Sequence, residues 1–494
     1  MINSEFSANG RSVRELSLQA DLIFVGGGIA GTCGAIAAAR EGLKVILVQD
    51  RPVLGGNASS EVRLWILGAT SSMGNNNRWS REGGVLSEIL VENMYRNPDG
   101  NSIILDTILL EKVMQEPNLT LLLNTSVHDV VKSSPDEIKE VIAFCSQNST
   151  RYILFAPYFC DSSGDGIVAF QAGAAFRMGA EAKEEFDEGF APDKEYGELL
   201  GHSIYFMTKD MGRPITFTAP SYALKDVSSI IKFRSYELAD HGCKLWWLEY
   251  GGRLDTVHQT EEIKWELWKV IYGIWDHVKN SGNYPEAENL TLEWVGHIPG
   301  KRESRRFEGD YILSQKDVVE QRYHADAVSY GGWSLDLHPA DAVFSERPGC
   351  NQWHAKGVYQ IPLCCMYSRN IKNLWLAGRL ISATHVAFGS CRVMATVAYS
   401  AQVLGLATRY CMNKGISPSE LANSALVEDL RQELLAKGHF IPGAEPKLKN
   451  LAHQALIQAS SEFKFSELEA NGDWQKLEYS TAQLVPVKKG DQFK

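Results

Sequence analysis

No C-x-x-C pair occurs among the nine cysteines of this 494-residue chain. Their scatter weighs against a disulfide framework and predicts reduced thiols in a cytoplasmic setting. The adjacent Cys364 and Cys365 read as two small core residues. No histidine–cysteine or histidine–carboxylate cluster has zinc-ligand spacing, so no metal is expected. There is no basic run, and the net charge is −11, which argues against a nucleic-acid partner. No apolar run is long enough to span a membrane. Residues 1–20 lack the basic-then-apolar pattern of a signal peptide and read as a loose extension. Repeats and low-complexity tracts are missing too.

Against these absences, one stretch stands out, residues 21–56. Leu22 to Val25 reads as a buried parallel strand. Gly26, Gly28 and Gly31 form a G-x-G-x-x-G turn, and a helix of small residues follows over 29–41, stopped by Gly42. A second apolar strand runs over 44–48. Gly26 permits the tight turn, Gly28 lets backbone approach a pyrophosphate, and Gly31 lets the helix pack close to the strand. Unsatisfied N–H groups at Ile29 and Ala30 face the phosphates. This context predicts a dinucleotide site. The acid that holds the ribose belongs near position 49, where Gln49 is followed by Asp50, and either can serve.

Further along, Gly55 and Gly56 allow backbone close to a ligand, with Asn57, Ser59 and Ser60 beside them. Helices are expected over 85–95 and 104–116, strands over 119–123 and 126–132, and a buried run over 153–160. That run ends in DSSGDG, 161–166. Thr260 to Lys279 reads as a helix whose Trp265, Trp268, Tyr272 and Trp275 share one face, a pattern that more often marks core than a ligand platform. Trp246–Trp247 sits in an aromatic-rich stretch. A helix is expected over 420–437, a mildly helical stretch over 452–461 and a strand-like one over 478–487.

These motifs resemble the FAD-dependent oxidoreductases whose FAD domain is like that of glutathione reductase. The closer resemblance is to a bacterial subgroup of mostly unassigned substrate. It is carried by QDRPVLGGNASSE (49–61), REGG (81–84), GKRESRRFEGDYILSQKDV (300–318), GGWSLDLH (331–338) and AGRLISATHVAFGSCRVM (377–394), and it covers 21–443. It implies an α/β fold: a discontinuous glutathione-reductase-like FAD-binding domain (21–166 and 366–415) with an inserted α+β substrate domain (167–365). A C-terminal helical segment and tail, 416–494, follow. FAD contacts are implied at Gly26, Gly28, Ile29, Ala30, Gly31, Gln49 or Asp50, Arg51, Gly55, Gly56, Asn57 and Ser60. Val127 would lie on the adenine and Gly164 would close over it. The chain would return to the flavin through Gly378, Arg379, Gly389, Ser390 and Met394, with Ser390 capping a long helix whose free N–H groups face the flavin.

The resemblance implies an oxidoreductase in which the flavin carries the electrons and the protein moves protons. His385 is the leading candidate for the proton, because it lies between the returning strand and the flavin-facing helix. Arg305 is the second catalytic candidate, chosen from Arg302, Arg305 and Arg306; His338 and His202 are weaker ones. Arg392 reads as pairing with backbone or phosphate. A redox cysteine pair is replaced by Asn57-Ala58-Ser59-Ser60, and a second, NADPH-type glycine motif is missing, so disulfide reduction is not expected. The expected reaction is hydride transfer from a small polar, carbohydrate-derived substrate. The alternatives are reduction of an activated C=C bond in a carboxylate, and a redox-silent flavin-binding interaction protein.

Overall fold

The computed structural model describes residues 13–70, 77, 80–194, 197–204, 206–231, 248–346, 350–448, 454–456 and 458. The chain starts with β1 (Arg14–Gln19), β2 (Leu22–Val25), α1 (Ile29–Arg40) and β3 (Val45–Val48). Then come α2 (Gly84–Arg96), α3 (Ser102–Met114), β4 (Leu119–Leu122), β5 (Ser126–Ser134), β6 (Glu137–Cys145), β7 (Thr150–Phe155), β8 (Tyr158–Asp161) and α4 (Ile167–Ala172). A middle stretch of short strands holds β9 (Phe176–Arg177), β10 (His202–Ser203), β11 (Phe206–Asp210), β12 (Glu249–Tyr250), β13 (Leu290–Val295) and β14 (Arg306–Phe307). It continues with β15 (Ala327–Gly331), β16 (Leu335–Leu337), β17 (Asn351–Trp353) and β18 (Tyr359–Pro362). Its helices are α5 (Lys183–Phe186), α6 (Ser228–Ile231), α7 (Thr260–Asn280) and α8 (Gln315–Glu320). The chain returns through β19 (Leu374–Leu376), α9 (His385–Cys391), α10 (Met394–Ala401), α11 (Val403–Lys414), α12 (Pro418–Ala422) and α13 (Leu426–Ala436).

The central sheet has the order β19–β8–β2–β3–β4, with every pair parallel. β2, β3 and β8 are buried on both faces, as parallel strands covered on both sides must be. Alternation divides their side chains between two cores. Leu22, Phe24, Val45 and Leu47 pack with α1, α10 and α11, while Ile23, Val25, Ile46 and Val48 pack with β5, β6 and β7. Small residues bring the helices close. A methyl group at Gly34 would sit 2.8 Å from the Phe24 ring, so α1 lies directly on β2.

The second sheet has the order β1–β7–β6–β5. Its first strand corrects the reading of residues 1–20 as a loose extension, because Arg14–Gln19 pairs in parallel with β7. The buried run over 153–160 also differs from a single element. It is split between β7 in this sheet and β8 in the central one, and Pro157, which has no N–H for a ladder, stands at the crossing. On α7, Trp275 is fully buried, Trp268 and Tyr272 pack partly buried against the same core, and Trp268 donates its indole N–H to the Gly296 carbonyl at 2.9 Å, whereas Trp265 at the start of the stripe is exposed. Trp246–Trp247 and the stretch over 478–487 lie outside the described residues, as does most of 452–461. Among the described residues no helix is long and apolar enough to cross a membrane.

Candidate functional site

The glycine turn is built as a cradle. Gly26 has φ 108°, and a side chain there would collide with the backbone of Ser162. The Ser162 hydroxyl donates to the Gly26 carbonyl at 2.6 Å, which fastens the DSSGDG turn onto the glycine turn. A methyl at Gly31 would strike the Gly26 carbonyl, whereas one at Gly28 would meet no atom within 4 Å. Gly28 caps α1 without a side-chain hydrogen bond, and the first turn of α1 carries no acid. Ile29 and Ala30 therefore begin a helix whose N-terminal dipole faces open space, a fit for a pyrophosphate.

Of the other predicted cofactor residues, Gln49, Gly55 and Gly56 touch this turn. Gln49, 4% exposed, is committed to backbone: its Oε1 accepts from Gly27 N at 2.7 Å and its Nε2 donates to Val53 O at 3.2 Å. Asp50, at the end of β3, stays exposed. Arg51 is gripped by Glu61 through two hydrogen bonds of 2.6 and 3.0 Å. Gly55 N donates to Gly27 O at 2.8 Å, and Gly56 opens a short 3-10 turn, Gly56–Ala58. Asn57 donates to Lys301 O at 2.9 Å, and Ser60 N to Asp106 Oδ1 at 3.0 Å. Val127 is buried on β5 opposite Ala143, where the ladder is irregular.

The returning segment meets the same cradle. Gly378 lies over Ala30, since a methyl there would be 3.7 Å from the Ala30 Cβ. A methyl at Gly164 would be 2.6 Å from Nη2 of Arg379. Nη1 of Arg379 is buried with no hydrogen-bond partner, as are Asp165 Oδ1 and His202 Nδ1. Burial would raise the Asp165 carboxyl, but Lys301 and Arg379 hold it below its usual value. Buried polar groups left open in this way call for a bound partner. An arginine beside an uncapped helix start fits the doubly charged phosphates of FAD.

One expectation for this segment needs correction. Ser390 does not cap the flavin-facing helix. Thr384 caps α9, accepting from Ala387 N at 3.2 Å, and Gly389 and Ser390 lie inside that helix. The Ser390 hydroxyl donates to Trp333 O at 2.5 Å and meets the Tyr359 hydroxyl at 2.8 Å. Val393 is extended, with φ −65° and ψ 143°, and this divides the expected long helix into α9 and α10, which Met394 opens. The N–H of Ala395 in that first turn is taken by Leu67 O at 2.8 Å. Glu82 of the REGG motif is buried against the same turn, where it accepts from Ala69 N at 2.8 Å and Thr396 Oγ1 at 3.1 Å.

His385, the first residue of α9, is 7% exposed. Its Nδ1 lies 2.9 and 3.1 Å from the two oxygens of Glu303. A carboxylate only accepts, so Nδ1 carries a proton, and in the neutral ring Nε2 holds the free lone pair. Arg306 is fully buried: its Nε donates to Glu303 at 2.9 Å and its Nη1 to Glu181 at 2.7 Å. Arg305 is elsewhere. Its guanidinium lies 3.8 Å from the centre of the Phe170 ring and donates to Asp165 O at 3.0 Å, on the DSSGDG side. A further chain of charges runs from Arg302 through Glu249 (2.8 Å), His338 (3.1 Å) and Asp336 (3.1 Å) to Arg392 (3.2 Å). Glu303 reads from sequence as part of a solvated ion-pair cluster with the three arginines but is fully buried, and Glu181, Lys301 and Asp165 carry no local signal, because pairing across a hundred residues is not readable there.

His202 adds a test of the site's burial. Its Nε2–H donates to Thr256 O at 3.0 Å, and burial, with Lys301 nearby, pushes its pKa down to about 3. An unfolded histidine titrates near 6.5. Above that pH the ring is neutral in both states. Below it the unfolded chain takes the proton first, so stability is lost from about pH 6.5 down to about pH 3, by at most about 1.4 kcal/mol per unit. His202→Gln is expected to flatten that part of the profile, read from urea midpoints at successive pH values. A variant as steep as the parent would place the titrating group elsewhere.

Several solved structures show a distant similarity to the chain. The geranylgeranyl bacteriochlorophyll reductase-like protein of Thermoplasma acidophilum is 11% identical, with 86% of this chain and 84% of that one covered and a TM-score of 0.36. p-Nitrophenol 4-monooxygenase of Pseudomonas putida is 11% identical, with 95% of each chain covered and a TM-score of 0.36. Quinol fumarate reductase of E. coli is 14% identical, with 85% and 74% covered and a TM-score of 0.31. No curated protein sequence matches the chain. The model of one family, described as FAD dependent oxidoreductase, matches residues 21–434. With that match spanning the cradle, the returning segment and His385, the chain belongs to the FAD-dependent oxidoreductases.

Proposed function

We propose that this enzyme oxidises a small polar, carbohydrate-derived alcohol, with His385 accepting the hydroxyl proton. FAD supplies the hydride acceptor; Gly28, the start of α1 and Arg379 are the residues that would hold its phosphates. The observation that carries the reading is the ring of His385, whose Nδ1 is spent on Glu303 and whose Nε2 is left as a base. As the substrate C–H leaves as hydride, its O–H proton passes to Nε2 and a carbonyl forms, so two electrons and two hydrogens leave the substrate together. Asp50, exposed at the end of β3, is the better placed of the two ribose candidates, because Gln49 is held by backbone. A cytoplasmic setting suits the free thiols of Cys33, Cys160 and Cys411.

A second reading, reduction of an activated C=C bond in a carboxylate, has one observation in its favour: the buried Nε of Arg392 has no hydrogen-bond partner. Arg305, stacked on Phe170, is less suited to that role than Arg392. Anaerobic bleaching of the bound flavin separates the two. Sugars and sugar acids form one panel, NADH and NADPH the other. Bleaching by a sugar or sugar acid is the expected result. Bleaching only by a nicotinamide would replace the first reading with the second.

A further inference from the structure

We propose that Glu303 is a positioning residue for His385, fixing which imidazole nitrogen is the base, and that Arg306 holds it in place. The inference rests on the role given to His385 above. Both oxygens of Glu303 lie within 3.1 Å of Nδ1, so the ring is fixed in angle as well as tautomer. The other lone pairs of the carboxylate are also used: Leu200 N donates to Oε2 at 2.9 Å and Arg306 Nε to Oε1 at 2.9 Å. Burial would raise the Glu303 carboxyl, but the hydrogen bond from His385 and the charge of Arg306 hold it below its usual value, as an ionised acceptor.

The same guanidinium also governs the backbone of His385. Nη1 of Arg306 donates to Glu181 Oε1 at 2.7 Å, and the other Glu181 oxygen accepts from His385 N at 2.8 Å. Nη1 donates as well to Ala383 O at 2.6 Å, two residues before the histidine. Thr384 between them is held by Glu188 at 2.7 Å. Ring, main chain and preceding cap are thus fixed by separate carboxylates, two of them on one arginine. The ring nitrogen that these contacts occupy is Nδ1. This is the arrangement in which a buried acid orients a base without taking its proton.

The test uses FAD-loaded protein. Nitrogen NMR of the parent imidazole should report a proton on Nδ1 of His385; a proton on Nε2 overturns the proposal without any variant. Glu303→Gln can offer its amide to Nδ1 and should release the Nε2–H tautomer. Its rate of flavin reduction by the most active sugar or sugar acid should fall about 100-fold in kcat, with KM and bound FAD little changed. Glu303→Asp should recover part of the rate. A parent-like tautomer and rate in E303Q overturn the proposal, as does loss of FAD together with rate in both variants, which would make Glu303 structural. Parent turnover in a His385 variant would instead defeat the proton-acceptor reading, and the tautomer result would stand by itself.

Discussion

Replacing Gly28 by leucine should yield a folded protein that purifies without yellow colour. The expectation rests on a contrast within one turn. At Gly31 any side chain would strike the Gly26 carbonyl, so substitution there damages the turn itself. At Gly28 a Cβ meets nothing within 4 Å, and its φ of −60° with ψ of 173° is open to any residue. Leucine can therefore be accommodated by the protein, but it fills the space in which a pyrophosphate must approach the backbone. FAD affinity should fall by at least about 100-fold, or about 3 kcal/mol. The measurements are the flavin-to-protein ratio, an FAD titration of the stripped protein and a thermal melt. An unchanged melt with lost FAD assigns the cradle. A yellow protein of parent affinity would remove Gly28 from it.

The second large effect concerns His385. Asparagine is the informative replacement, because its amide can still donate to Glu303 near the Nδ1 position while nothing takes the place of Nε2. Alanine would leave the buried Glu303 short of a partner and confuse chemistry with stability. With His385→Asn, flavin reduction by substrate should slow by about 10²–10⁴-fold while FAD stays bound. Rapid-mixing absorbance of the flavin under anaerobic conditions reads both quantities. A rate within a few-fold of the parent would take His385 out of the proton path.

The parts of this molecule that were legible in the sequence are those written in local spacing. The strand–turn–helix–strand of 22–48 could be read because Gly26, Gly28 and Gly31 fall where a turn, an open approach and a close packing need them. The returning strand at 374–376 was legible for the same reason: a short apolar run before Gly378 and Arg379. What failed depended on partners far along the chain. Arg14–Gln19 has only Leu16 and Leu18 to mark it as a strand, and it looks idle until β7 is placed beside it. Arg305 and Arg306 are neighbours in a charge run, and nothing local says that one stacks on Phe170 while the other reaches Glu181. Gln49 and Asp50 could not be ranked until Gln49 was found bound to the turn of Gly27. The helix start at Ser390 was misread because Thr384, six residues earlier, has the same capping chemistry.

The position of β19 in the central sheet also sets a timetable for synthesis. When the ribosome has made β8, four of the five central strands exist, yet the outer side of β8 has no neighbour until β19 emerges more than two hundred residues later. At ribosomal elongation rates of about 5–20 residues per second that interval is roughly 10–40 s. Throughout it the nascent chain exposes Tyr158, Phe159 and Cys160 along an unpaired edge, and α1 lacks the covering of α10 and α11. The cofactor cradle is therefore completed only once Gly378 and Arg379 have emerged, and a holding chaperone or the incoming FAD itself has a long window in which to decide whether the newborn chain matures or aggregates.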